Sequence, residues 1–215
     1  MNHQSRQISK MKQQDRLEII PTQFAGQEIE VEATKELKNE AEAKSLYNVA
    51  KKKLLDVNNW KKIAGTITAQ FQIINEKGEE VTRYVKKGDY LRINIPGPGS
   101  KEGDGYDWVL VEELKEINME SLQSVGFRVR PNENPFGEKN ETSHFYSKEA
   151  TSSFIICREN SQLISRIVDR NLLPNTESGS LVDKVRDVVV GVSAIAGLSK
   201  LQWQQLANGL IKNQK

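Results

Sequence analysis

The chain is poor in the residues that usually mark a chemical site. Of its 215 residues, one is cysteine, two are histidine and six are proline, and aromatics make up 7%. A lone Cys157 excludes an internal disulfide. It ends the apolar run Ser153-Phe-Ile-Ile-Cys, where a small buried hydrophobe is the plain reading. A nucleophilic thiol needs a base at hand. Only His3 and His144 are available, and nothing in the sequence places either beside Cys157.

No apolar run approaches the ~20 residues that cross a bilayer. Met1 to Arg16 is rich in Gln, Lys, Ser and Arg and lacks the apolar stretch of a secretory signal. The expectation is a cytoplasmic protein, in which the Asn140-Glu-Thr142 sequon is accidental. A charge excess is missing too. Lys plus Arg is 31 and Asp plus Glu is 29, a net of +2. That balance gives no overall pull toward nucleic acid or anionic lipid. The local runs Lys51-Lys53 and Lys61-Lys62 read as solvated flanks of a helix.

Cofactor loops are absent as well. Gly97, Gly99, Gly103 and Gly105 cluster, but position 102 is Glu and a strand pattern follows, so the dinucleotide spacing fails. The Gly-Lys-Ser/Thr ending of a Walker loop is missing. Pro96 to Gly105 therefore reads as a connection or pocket lid. Glu102, Asp104 and Asp107 lack the spacing of an EF-hand loop. Neither cofactor nor metal is expected.

What is present suits a folded domain. A chain of this length, 37% apolar, can bury its own core. Residues 1–26 read as a flexible polar tail, with Leu17, Ile19 and Ile20 before Pro21 as the residues that could order its end, and 27–215 as a single α+β domain. Ile29 and Val31 alternate with acids, as in a half-exposed strand. Thr34 offers a helix N-cap, and Leu46, Val49, Ala50, Leu54 and Val57 trace one helix face that Asn58-Asn59 breaks. Strand patterns follow at 66–74, 81–85, 90–95, 106–117, 125–130, 152–158 and 163–170, the last two flanking a hairpin turn. Ser180 and Asp183 then open a long amphipathic stripe through Leu181, Val185, Val188, Val192, Ile195, Leu198, Leu206 and Leu210. Short turns between strands argue for an antiparallel meander.

That order of strand, helical segment, antiparallel run and long last helix resembles the START-like or helix-grip superfamily, the SRPBCC proteins with their Bet v 1-like members. The resemblance covers residues 27–213 and lies in the order of elements. It implies a curved antiparallel sheet gripping the C-terminal helix. A second resemblance, to SH3-type barrels, covers 80–115 through the Gly88-Asp89 turn and Trp108-Val109, and leaves the last helix unexplained.

The helix-grip resemblance implies a space between sheet and helix, lined by residues such as Phe71, Phe127 and Ile195. Trp108 and Trp203 read as packing, with ligand stacking as the alternative. Arg128 and Arg130 share one strand face, and Arg166 shares another with Arg170. They read as a solvated outer face, with an anion-binding floor as the alternative. His144 and Tyr146 supply further polar groups. The first functional expectation is a binding protein for a small, largely apolar molecule. A protein-interaction module, with a protein partner or a second copy, comes next. A cyclase- or hydrolase-type enzyme comes third and would need His144, Tyr146 and Arg128 to converge.

Overall fold

A computed structural model of the chain describes residues 15–65, 69–94, 106–137, 146–173 and 200–213. Seven strands form one sheet: β1 (Gln27–Glu36), β2 (Gln70–Ile74), β3 (Tyr90–Asn94), β4 (Asp107–Asn118), β5 (Leu122–Pro131), β6 (Thr151–Glu159) and β7 (Gln162–Leu172). Every pairing is antiparallel and the order is β1-β7-β6-β5-β4-β3-β2. The first two strands thus end on opposite edges. Between them run α1 (Glu40–Leu55), a 3-10 turn (Val57–Asn59) and α2 (Trp60–Ala64). A last helix, α3, spans 200–210.

The contacts of α3 show that the sheet curves. Trp203 packs against Phe71 on the edge strand β2, with ring centroids 6.3 Å apart. The next residue, Gln204, donates to the Glu32 carbonyl on the opposite edge strand β1 at 3.1 Å. A flat seven-stranded sheet would be roughly 29 Å wide at ~4.8 Å per strand gap. Two consecutive side chains reach both edges only if the sheet wraps the helix. This is the helix-grip arrangement of an α+β fold. Residues 90–94 and 107–115 supply β3 and most of β4 of that sheet, so the described residues form no separate barrel.

Strand alternation gives the sheet two faces. The inner face carries Ile29, Val31, Phe71, Ile73, Leu91, Val111, Val125, Phe127, Phe154, Ile156, Leu163 and Ile167, which form the main core with α1 and α3. Trp60 opens α2 at its centre, stacked on Phe127 at 5.9 Å and tilted on Phe154 at 4.8 Å. Its indole N–H donates to the carbonyls of Lys53 and Leu54, so this large ring is buried with its polar atom satisfied.

The outer face is covered as well. Residues 15–26, expected as part of a flexible tail, lie across it as a strap. Leu17 and Ile19 are buried against Ile155. Asp15 accepts from the Ile19 and Ile20 amides, while Ser153 and Arg128 donate to the Ile19 carbonyl. Gly126 makes room: a Cβ there would sit 2.8 Å from Ile19 Cδ1 and from the Phe154 carbonyl oxygen. Asn171 fastens the other end, accepting from the Phe24 and Ala25 amides. The apolar triplet Leu17, Ile19 and Ile20 thus wins over the polar surroundings that suggested a tail.

Two further expectations change. The helix cap is Asn39, whose side chain accepts from the Glu42 amide, and β1 runs on through Thr34 to Glu36. Residues 81–85 are not a strand, because other groups claim their backbone. The Val85 amide donates to the Leu55 carbonyl, and Asn58 donates to the Val81 carbonyl. Asn58 also accepts from the Ile73 amide at 2.8 Å, which explains why the helix turns there. The expected start of the last helix at Ser180 and Asp183 lies outside the described residues, as does the Gly-Pro segment 96–105. No helix among the described residues is long and apolar enough to cross a membrane.

Candidate functional site

The seam between the inner face and α3 is lined with rings. Trp203 sits edge-on to Phe154 at 5.3 Å, and Trp60 meets Phe71 edge-on at 5.2 Å. Trp60, Ala64, Ala69, Phe71, Trp203 and Leu206 leave a gap between them with room for about one water molecule. Further along the inner face, Ile93, Val109 and Leu114 are only partly buried against the core. They form an apolar floor on β3 and β4.

Two acids of this face lie at one end of the sheet, where β4 begins and β7 ends, while Gln123, Arg158 and Ser165 share the face further along. Asp107 faces inward opposite Ile93. Burial pushes its carboxyl up to about 6. Asp169 on β7 is in phase with Leu163 and Ile167 and also faces inward, directly opposite Ser152 on β6. It is 3% exposed. One carboxylate oxygen accepts from the Trp203 indole N–H at 2.8 Å, and the nearby Ser152 hydroxyl also favours the charged form. The other oxygen, Oδ1, has no hydrogen-bond partner. Burial raises this carboxyl to about 6, against the opposing pull of Ser152, Trp203 and the Arg170 charge.

The expected site residues divide between the faces. Phe71, Phe127 and Trp203 come together in the aromatic seam. Tyr146 is partly buried against the same core. Arg128, Arg130 and Arg166 do not join them, and neither does Trp108. The register puts Arg128 opposite Ser153, on the outer face, and Arg130 lies two residues further along β5. A bulge between Val111 and Glu113 turns Glu112 to that side, where both arginines bond it, Arg128 at 2.8 Å. Those bonds outweigh burial and hold the Glu112 carboxyl below its usual range. Arg166 pairs with Glu30 at 2.6 Å, also outside. The arginines therefore lie ion-paired on the outer face, Arg166 buried there at 3% exposure, and do not form a cavity floor. Trp108 packs outward against Phe136, 6.2 Å between centroids. Arg128 and Tyr146 thus lie on opposite faces, so the convergence that the enzyme reading needs is not met by this pair. His144 and Ile195 lie outside the described residues.

The sequence reading missed Asp169. The signal was available: within Leu163–Leu172 it occupies the phase of Leu163, Ser165 and Ile167, an acid on an otherwise core-facing row. Cys157 is buried beside Leu122 and Ile164, and burial pushes its thiol up, away from a reactive thiolate.

No family model and no curated protein matches the sequence. Solved structures with a related outline include a hypothetical protein of Helicobacter pylori, 10% identical with TM-score 0.46, over 85% of this chain and 87% of that one. A Thermus thermophilus protein is 12% identical with TM-score 0.42, over 86% and 94%. Truncated norcoclaurine synthase of Thalictrum flavum is 11% identical with TM-score 0.33, over 85% and 96%. The fold assignment above rests on the chain's own strand order and contacts.

Proposed function

We propose that this chain is a START-like binding protein that holds a small, largely apolar molecule against the inner face of the sheet, beside α3. One observation supports the reading. Ile93, Val109 and Leu114 form an apolar floor that the core only partly covers, next to the aromatic seam at Trp203. Apolar surface of this kind gains from an apolar occupant at ~25 cal/mol per Å² covered.

Native mass spectrometry of the full chain, with and without added octan-1-ol, tests the reading. The expected spectrum shows one bound alcohol, or one retained hydrophobe, per chain. A bare chain under both conditions overturns it.

A further inference from the structure

Asp169 is expensive where it stands. It is 3% exposed, with one oxygen unpartnered and no ion-pair partner among the described residues. The adjacent Arg170 serves the outer face, where it pairs with Glu28 and Glu30 at 3.3 and 3.4 Å. A buried carboxylate left this way costs far more than a buried hydroxyl. Packing does not require it, since the same row of β7 carries Leu163 and Ile167 in the core.

The surroundings define what would satisfy it. From the sheet, Asp107 and Asp169 face inward at this end, and the basic charge that acts on Asp169 is that of Arg170 beside it. Trp203 lies against the carboxylate, and one of its acceptors, Oδ1, has no hydrogen-bond partner. We propose that the ligand is an apolar amine whose ammonium group donates to Asp169 Oδ1. This inference rests on the binding reading above and names its ligand class. Trp203 holds the second carboxylate oxygen at 2.8 Å, which leaves the first free for the ligand. An ammonium donor supplies both the missing hydrogen bond and the missing counter-charge. A hydroxyl donor supplies only the first, and a carboxylate supplies neither.

The test uses three probes of one shape, octylammonium, octan-1-ol and octanoate, titrated calorimetrically into the full chain at pH 7.5. A hydrogen bond to a charged group predicts an amine affinity roughly tenfold to a hundredfold above that of the alcohol. Octanoate should bind weakest. Asp169→Asn should abolish the preference for the amine over the alcohol. Equal binding of amine and alcohol by the parent chain overturns the amine inference while the binding reading survives. So does an amine preference that persists in the variant. Binding of none of the three overturns both. The parent series alone decides the matter if the variant fails to fold.

Discussion

Asp169→Asn separates a structural acid from a binding acid through its effect on stability. Burial raises the carboxyl from 3.8 to about 6 in the folded chain. Between those values the native state holds a proton that the unfolded chain has released. Stability therefore falls as pH rises through that window, and the loss is complete above about pH 6. Roughly two pH units at ~1.4 kcal/mol each make this about 3 kcal/mol at neutral pH. The amide removes that cost and still accepts from Trp203. Its own N–H takes the unpartnered place, at about 1–3 kcal/mol. The variant should thus be as stable as the parent at pH 7.5, or more stable by about 1–2 kcal/mol. Its advantage should shrink and then reverse as pH falls toward 4. Asp107 titrates in the same window, so the decisive quantity is the difference between the two proteins. Urea unfolding followed by far-UV circular dichroism from pH 4 to 8 measures it. A variant less stable than the parent by more than about 1 kcal/mol at pH 7.5 would refute the reasoning. So would a difference that does not change with pH.

Three other substitutions probe the frame. Gly126→Ala drives a Cβ into Ile19 and the Phe154 carbonyl; it should cost about 1–3 kcal/mol and speed proteolysis within 15–26, and unchanged urea midpoints would count against a packed strap. Arg158 is 1% exposed and donates to Gln123 and to the carbonyls of Asn160 and Glu120, tying two hairpin turns together. Arg158→Met keeps the stem but strands those acceptors, for an expected loss of about 3 kcal/mol in urea unfolding; a loss under 1 would show that water satisfies them. Trp203→Phe keeps the ring and removes the donor to Asp169, which should lower the midpoint at pH 7.5 more than at pH 5, where the carboxyl is largely protonated.

Much of the fold was legible because burial on one side of an antiparallel sheet writes itself as alternation. Leu91 and Ile93, and Val125 to Val129, carry that pattern, and each became a strand in the expected phase. Alternation also marked two faces without saying which was inner. Arg128, Arg130 and Arg166 thus read as an outer face, with a cavity floor as the alternative, and alternation alone did not choose between the two. That choice depends on Glu112, which a bulge turns toward the arginines, and a bulge leaves no local signal. Residues 81–85 have strand composition, yet Asn58 and Leu55 take their hydrogen bonds from 23 and 30 positions away, counting Asn58 to Val81 and Leu55 to Val85. Propensity does not see partners at that distance. The strap was legible only as the apolar residues Leu17, Ile19 and Ile20, for a similar reason. Three apolar residues in a polar stretch gain their value only from Gly126 and Ile155 on distant strands.

Among the buried side-chain atoms without partners in the described residues, Asp169 Oδ1 is the one carboxylate oxygen; the others belong to hydroxyls, an indole and an arginine. An unpartnered hydroxyl is a minor cost that a single water relieves. A lone carboxylate worth about 3 kcal/mol is a large share of the 5–15 kcal/mol that holds a typical domain together. If an ammonium ligand answers that deficit, ligand and proton must compete for the same oxygen. Saturating octylammonium should then hold Asp169 ionised and draw its folded titration down toward the ordinary carboxylate range. The stability lost between about pH 4 and 6 by the free protein should be largely restored in the complex. Octan-1-ol, which brings no counter-charge, should flatten the slope far less than the amine does. Parallel slopes for free and amine-saturated protein would mean that the ammonium group binds elsewhere.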